Sequence, residues 1–429
     1  MKKILFQQTV ISLFFLSVFS SCDSEDSFLE KTEYSSEYNI SIINNDTVAY
    51  PVIADNKLSD EDCKIAKVFE NFAMQKLDEY NADLKNNFVF SPFNASLTFS
   101  LMNNATNEKE QKVINKYLGL NDSHSVDKAN NYNRKVISKI QKDLDSKGNE
   151  CRISNKIWVK NDSKIYRSFV ATINSYNAKI EGIDFQLETY KIANYVQNNS
   201  NYNDASLPSV NEEKMTAMFS NSIRFSMKWA SKLDTYVNET FINQTGAEVL
   251  CEKVGDYGRF NYIDCGYYNI TELPYPDSNF SMFLIHTPFS DLRYYNTINN
   301  IMANGGLDEC IQQMKMTNLA LKFPKFSIEN TMSLIEKDKS FLKCYSMVSP
   351  NSFYLNSVFQ FCKIEVDEQG TSATAKVILP PTTTTLPPGK GNPNVEVEYL
   401  DNDIDSPFWF IIRNNKLKSI LFAGCIKEL

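Results

Sequence analysis

Glycines, histidines and paired cysteines are scarce in this sequence, and each shortage disfavours a class of function. The chain has 429 residues but only 13 glycines, and none of them form the spacing of a phosphate-binding loop. Its 2 histidines, His124 and His286, offer little for metal binding or histidine-based catalysis. The H-E-x-x-H and G-x-S-x-G spacings are also missing. The sequence therefore disfavours an enzyme, and it predicts neither a metal nor a cofactor.

No block of basic residues runs along the chain. The net charge is −8, and acidic and basic residues are mixed, so there is no patch suited to a phosphate backbone. Nucleic acid is therefore not an expected partner. The 9 cysteines contain no Cys-x-x-Cys pair. We interpret most of them as buried apolar residues, while disulfides stay open for an exported protein.

The first residues have the composition of an export signal. Two lysines precede an apolar stretch in MKKILFQQTVISLFFLSVFSSC, and that stretch is short for a membrane span. Ser20 and Ser21 before Cys22 resemble a bacterial lipoprotein signal, in which the cysteine receives lipid; a plain signal peptide with an unmodified cysteine is the alternative. We predict a signal peptide at 1–21 and a lipidated polar tether at 22–57. The protein would then be an exported outer-membrane or cell-surface lipoprotein on the periplasmic or extracellular face.

Helical and extended patterns interleave from residue 58 onward without a repeat. Ser59 can cap a helix in which apolar residues recur at helical spacing, and Ser91-Pro92 can open a second helix. The stretch RISNKIWVKN alternates as a strand does. No glycine-rich linker divides the chain, so we predict one large α+β domain over residues 58–429.

A segment near the C-terminus has the pattern of a strand but leads into a loop-like tract. In EVDEQGTSATAKVILPP, every second residue from Thr371 to Pro381 is small or apolar, as in a strand with one buried face. The tract PPTTTTLPPGKGNPN follows at once, and its prolines and threonines favour an extended, solvated chain. The pattern therefore indicates a segment that suits two environments.

Motifs that occur in one order across the domain resemble those of the serpin family of serine protease inhibitors. NFVFSPFNASLTFSLMNNAT is similar to that family's Asn-x-x-x-Ser-Pro stretch, and IANYVQNNSN to its Ile-Asn-x-Trp-Val segment. NSIRFSMKW keeps the spacing of Asn221, Phe225 and Trp229, which the resemblance places where the main sheet opens. LKFPKFSIE and DSPFWFIIRNNKLKSILFAGCI resemble later signatures. The implied fold is α+β, with helices packed around large mixed and antiparallel sheets and an exposed reactive-centre loop.

The resemblance makes EVDEQGTSATA the hinge of that loop. A sheet strand is expected to end at Glu368, and the exposed loop, at about 370–406, to begin at Gly370. In such a protein the loop can enter the main sheet as an added strand, and small residues would enter first. The hinge residues are Glu368, Gly370, Thr371, Ser372, Ala373, Thr374 and Ala375.

The resemblance implies suicide inhibition of a protease: cleavage of the loop forms an acyl-enzyme, and insertion of the freed loop traps it. The family's spacing places the cleaved bond between Thr384 and Thr385, with Leu386 as the alternative bait. A small β-branched residue suits elastase-like, subtilisin-like or broad-specificity proteases, whereas Leu386 would suit chymotrypsin-like proteases or broad cysteine proteases such as papain-like enzymes. The protein is expected to be a monomer that supplies no catalytic residue, metal or cofactor.

Two departures from the family pattern leave a second interpretation open, a serpin-fold protein that is cleaved without trapping or serves as a binding scaffold. Pro380 and Pro381 lie in the part of the loop that would enter the sheet, and proline has no N–H to donate there. The tract before Pro407 is also long for the family. An unrelated enzyme or a glycan-binding lipoprotein, with some of the 22 tyrosines and 29 phenylalanines on its surface, is the remaining alternative.

Overall fold

The structure of the protein is a computed structural model that describes residues 32–35, 39–43, 57–83, 85–106, 108–121, 126–142, 150–200, 217–230, 232–276, 279–287, 296–334, 355–372 and 398–429. The helices within these residues are α1 Asp60–Asp83, α2 Pro92–Asn104, α3 Glu108–Leu118, α4 Val126–Lys142, α5 Arg167–Ser175, α6 Tyr190–Ser200, α7 Thr297–Ala303 and α8 Leu307–Gln313. The strands are β1 Thr32–Ser35, β2 Ile40–Ile43, β3 Phe88–Phe90, β4 Glu150–Lys160, β5 Lys164–Tyr166, β6 Ala178–Ile183, β7 Ala217–Lys228, β8 Asp234–Ile242, β9 Glu248–Asp264, β10 Asn269–Pro274, β11 Phe280–His286, β12 Lys315–Pro324, β13 Phe326–Ser333, β14 Leu355–Val366, β15 Gly370–Ser372, β16 Leu400–Asp403, β17 Phe408–Asn414 and β18 Ser419–Ile426.

The first two helices begin where the capping signals predict. Ser59 and Asp62 exchange hydrogen bonds: Asp62 N donates to Ser59 Oγ at 3.2 Å, and Ser59 N donates to the Asp62 carboxylate at 2.8 Å. At the start of α2, Asn94 N donates to Ser91 Oγ at 3.3 Å, and Pro92 occupies the first turn. Residues 92–103 of α2 are all buried, so this helix runs through the middle of the molecule.

The described strands form two large sheets and one small sheet. The main sheet has six strands in the order β13-β14-β15-β7-β4-β6. A second sheet has the order β16-β12-β9-β10-β11-β17-β18-β3, with β8 paired to β9. Because β7 pairs in parallel with β14 and antiparallel with β4, the main sheet is mixed. The prediction of an α+β fold with large mixed and antiparallel sheets is confirmed.

The largest buried cluster joins the two large sheets and α2. Leu97 of α2, Phe225 of β7 and Leu321 of β12 are all 0–1% exposed and belong to it. The Phe225 ring lies 5.3 Å from Tyr275 and 6.2 Å from Phe422, edge to face in both cases. The core therefore reaches the inner face of β7, on which the candidate site is built.

Part of the segment predicted as a polar tether is folded. β2 pairs in parallel with β5, and Ile40 and Ile43 are 0% and 1% exposed. A Cβ at Gly182 of β6 would lie 2.3 Å from the Asn39 carbonyl oxygen, so a glycine is needed for this close approach. The tether prediction is therefore wrong for 40–43, and for the strand β1 that pairs with β2. The apolar run ISII is too short to stand out from its polar surroundings.

The cysteines of the described residues are free thiols, with Cys151, Cys310, Cys362 and Cys425 buried and Cys63, Cys251 and Cys265 partly exposed. Burial raises the pKa of the Cys310 thiol to about 11. These buried side chains act as small apolar residues, in line with the interpretation from the sequence.

Candidate functional site

The candidate site is the end of the main sheet at which β7 and β14 separate. Their direct pairing ends at the row of Phe361 and Ser222. Beyond it β15 lies between them, with Thr371 opposite Met227 of β7 and Val366 of β14. We call this arrangement of β7, β14 and β15 the fork.

The structure changes the predicted start of the exposed loop. β14 ends at Val366 rather than Glu368, and Gly370 and Thr371 are buried, with Thr371 only 2% exposed. A tight turn returns the chain to the sheet: Asp367 Oδ1 accepts hydrogen bonds from Gln369 N at 2.8 Å and from Gly370 N at 3.1 Å. The prediction that the exposed loop begins at Gly370 is therefore wrong, because this turn places the first hinge residues back in the sheet.

Gly370 is needed for a close approach between strands. A Cβ at this position would lie 2.2 Å from the Met227 carbonyl oxygen and 2.6 Å from Lys228 Cα. Both are backbone atoms that cannot rotate away. Gly370 is not among the glycines with positive φ, so the need for glycine here is steric and does not come from a left-handed backbone conformation.

An aromatic pair lies against the buried face of β15. The Tyr275 hydroxyl is 2.6 Å from Thr371 Oγ1, and the Tyr275 ring stacks on Trp229 at 5.0 Å with 9° between the planes. Trp229 Nε1 donates to the Asp367 carbonyl at 2.9 Å. Burial raises the pKa of Tyr275, so its hydroxyl keeps its proton at neutral pH. The sequence predicted Trp229 at this place but did not point to Tyr275. The two prolines that flank Tyr275 were the one local sign of a fixed backbone there.

Glu368 links the turn to two connections between strands, one from β12 to β13 and one from β7 to β8. Its carboxylate is 2.8 Å from Lys325 Nζ and 3.9 Å from Lys232 Nζ, and Lys325 also contacts Glu252 at 3.0 Å. The Glu368 carbonyl accepts from Leu233 N at 2.9 Å. Burial raises the pKa of Glu368, but the hydrogen bond from Lys325 and the charges of both lysines outweigh burial and leave that pKa below its usual value. Glu368 is therefore a carboxylate at neutral pH.

The last rows of direct pairing are tied to α2 from both strands. Gln360 of β14 lies opposite Asn221 of β7. Gln360 accepts from Ser91 N at 2.7 Å and donates to Ser91 O at 2.9 Å. Asn221 Nδ2 donates to Asn94 O at 2.9 Å and to Thr98 Oγ1 at 2.6 Å. If β7 and β14 move apart at this row, one of these buried sets of hydrogen bonds has to change.

Helix α6 covers the same two strands on the other face of the sheet. Ile192 and Val196 are 0% exposed and form a cluster with Met218 of β7 and with Phe359 and Phe361 of β14. Because this cluster spans both strands, α6 has to shift if β7 and β14 are to separate further, past Phe361 and Phe359.

Strand β16 holds the chain on the far side of the loop. It pairs in parallel with β12, and Asp403 is 2.6 Å from the buried Lys253 Nζ. Asn402 Nδ2 donates to Thr271 Oγ1 at 2.8 Å, and Ile404 N donates to Lys322 O at 2.8 Å. The described chain is thus fixed to the body at both ends of the segment predicted as the exposed loop, so the predicted end of that loop at about 406 is too late.

His286 is buried beside this anchor. Its Nε2 lies 3.0 Å from Ser406 Oγ, and burial lowers its pKa to about 4, so the ring is neutral at pH 7. No group of three or more His, Cys, Asp or Glu side chains is placed to hold a metal in the part of the chain that the structure describes.

Several predicted positions lie outside the described residues. They are the hinge residues Ala373, Thr374 and Ala375, the bond between Thr384 and Thr385, the alternative bait Leu386 and the lipid site Cys22. Ser372 is described as part of β15, where it lies opposite Ser226 and Glu365. Asn221, Phe225 and Trp229 all lie along the fork.

Comparison with known proteins gives one consistent result. A profile of the family described as Serpin (serine protease inhibitor) matches residues 67–428. Plasminogen activator inhibitor 1 of Mus musculus is 24% identical over 394 residues, which cover 84% of this chain and 90% of that protein. Two solved structures share the fold. Tengpin, a thermophilic serpin in its native state, has a TM-score of 0.72 and 21% identity, covering 90% of this chain and 98% of tengpin. Thyroxine-binding globulin in complex with thyroxine has a TM-score of 0.73 and 16% identity, covering 85% of this chain and 99% of the globulin.

Proposed function

The chain belongs to the serpin family, and from that premise we propose that it inhibits a protease as a suicide substrate. The observation that supports this most is the position of β15: the hinge has already begun a strand between β7 and β14. A loop that continued this strand would be added to the main sheet.

The covalent step takes place on the loop. The target's nucleophile adds to the carbonyl carbon of the bait residue, proposed to be Thr384, and the bond to the nitrogen of Thr385 breaks. The released amine takes the proton that the nucleophile gives up. The carbonyl carbon stays bonded to the protease as an acyl-enzyme, and the protein supplies no catalytic group to this step.

Insertion of the freed loop would follow the alternation that β15 begins. Ala373, Ala375 and Val377 share the period-two face of Thr371, whose side chain points into the core beside Tyr275. Small residues would widen the fork first, and Val377 and Leu379 would then bury apolar area. We propose that this outcompetes hydrolysis of the acyl-enzyme and distorts the bound protease.

Incubation with an elastase, a subtilisin, a trypsin and a papain-like enzyme tests this proposal. We expect an adduct that survives SDS with at least one of the elastase-like or subtilisin-like enzymes, because a threonine or leucine bait suits their pockets, and none with trypsin. Terminal sequencing of the released fragment identifies the bond, expected after Thr384 or Leu386.

The matched control is the same protease with its nucleophile replaced by alanine, which should bind without forming the adduct. Cleavage of the loop while every protease remains fully active would contradict the proposal. That result would instead support a serpin-fold protein that is a substrate or a binding scaffold. Pro380, Pro381 and the long tract before Pro407 favour this second candidate.

We also propose that Cys22 carries a lipid and that an exported form is held on a membrane. None of the helices in the described residues is long and apolar enough to cross one. The Cys22→Ala variant should appear in the soluble fraction after cell lysis, while the parent protein partitions with membranes. Equal partitioning of the two proteins would contradict the lipid anchor.

A further inference from the structure

Thr371 and Tyr275 form a buried contact at the first inserted residue of the hinge. Each residue is 2% exposed, and their hydroxyl oxygens are 2.6 Å apart, with either able to donate. Both hydroxyls are therefore shielded from water, which would otherwise satisfy them. If the Tyr275 hydroxyl is removed, the buried hydroxyl of Thr371 loses this hydrogen bond, and that loss is costly.

The position of the Tyr275 hydroxyl is set by groups other than the hinge. Tyr275 N donates to Phe280 O at 3.0 Å, and Phe225 meets its ring edge-on at 5.3 Å. Trp229 stacks on the other side at 5.0 Å. The ring is thus held by β7, by the β10–β11 hairpin and by the core, whether or not Thr371 is present.

β15 is short for a strand that has to stay in place. Only two register pairs join it to β14, and three join it to β7. Ordering a chain segment costs conformational entropy, so such a short strand depends on the contacts of its side chains. In the part that the structure describes, Thr371 supplies the buried side chain of β15, since Gly370 has none.

We propose that Tyr275 is a positioning residue for loop insertion, and that its hydroxyl keeps Thr371 within the fork so that insertion extends a strand already begun. The inference rests on the proposed inhibitory function. When the loop is cut, a hinge that already lies in the fork can extend β15 without having to start a new strand. A hinge that has left the fork must return first, and the acyl-enzyme has that time to hydrolyse.

Hydrogen exchange tests, without any protease, whether the Tyr275 hydroxyl keeps Thr371 within the fork. In Tyr275→Phe the ring and its stacking stay, but the hydroxyl is lost. We expect the amides of Gly370–Ser372 to exchange about fivefold faster, the ratio that corresponds to the ~1 kcal/mol of one buried hydrogen bond. Thr371→Val should give a similar change, and the double variant should change no more than either single variant.

The same variants are then tested for inhibition. We expect the moles of inhibitor consumed per mole of protease to rise by about fivefold in Tyr275→Phe, again from ~1 kcal/mol. The rate at which the loop is first attacked should change less than about twofold, because no group on the bait has changed.

Tyr132→Phe is the matched control. The Tyr132 hydroxyl is also buried, at 1% exposure, and donates to Leu417 O at 2.9 Å, away from the fork. This variant should lose thermal stability as Tyr275→Phe does, but keep the parental exchange at Gly370–Ser372 and the parental inhibition.

An equal rise in consumption for both variants would overturn the positioning role, because it would reflect general destabilisation. Unchanged exchange in Tyr275→Phe would contradict the claim that the Tyr275 hydroxyl keeps Thr371 within the fork. Faster exchange in Tyr275→Phe would support the role of the hydroxyl in holding Thr371. If the parent protein nevertheless traps no protease, the proposed inhibition is contradicted while that role stands.

Discussion

Arginine in place of Thr371 is expected to turn the protein from an inhibitor into a substrate. The side chain at this position lies inside the fork, 2% exposed and against Tyr275. A charge without a partner in such a place costs several kcal/mol, and the hinge has to leave the sheet to avoid that cost. Since ~1.4 kcal/mol corresponds to a factor of ten, the moles of inhibitor consumed per mole of protease should rise by at least about tenfold.

The control for this variant adds the same charge two residues earlier. Gln369 is exposed in the turn before β15, so Gln369→Arg should leave trapping within about twofold of the parent, the ordinary range for an exposed substitution. Both variants are measured by titrating a fixed amount of protease and by counting adduct and cleaved inhibitor on gels. Efficient trapping by Thr371→Arg would mean that the hinge does not pass through the fork during inhibition.

The features that the sequence predicted well are those set by neighbours along the chain. The start of α2 follows from Ser91 and Pro92, three residues or fewer from the amides they affect. The inward direction of Thr371 follows from a period-two pattern that any strand enforces. Such local rules also separated the helices from the strands of an α+β domain.

The features that could not be predicted depend on residues far apart in the sequence. Tyr275 and Thr371 are 96 residues apart, and Ser91 and Gln360 are 269 apart. A single sequence carries no sign of such pairs, because either partner alone looks like an ordinary tyrosine or glutamine. The turn at Asp367 was missed for a related reason: whether the chain returns to the sheet depends on the space between β7 and β14.

The proposed mechanism requires that the protein as first folded lies above its loop-inserted form in free energy. Insertion would bury Val377 and Leu379, each worth ~1.5–3 kcal/mol. It would also add main-chain hydrogen bonds to β7 and β14, at ~1 kcal/mol each. These gains oppose the conformational entropy that the loop loses on insertion, and trapping requires that they exceed it even with the two prolines late in the segment. Unfolding of a domain of this length has an entropy near ~0.8 kcal/mol per degree, so each kcal/mol of net gain should raise the melting temperature by roughly 1 °C.

The most direct measurement is thermal unfolding before and after a trace of protease has cut the chain between Gly370 and Pro407. Mass spectrometry locates the cut, and calorimetry gives the two melting temperatures, with Thr371→Arg as the variant in which the rise should be smaller. We expect the cut protein to be the more heat-resistant one. An unchanged or lower melting temperature after the cut would contradict it.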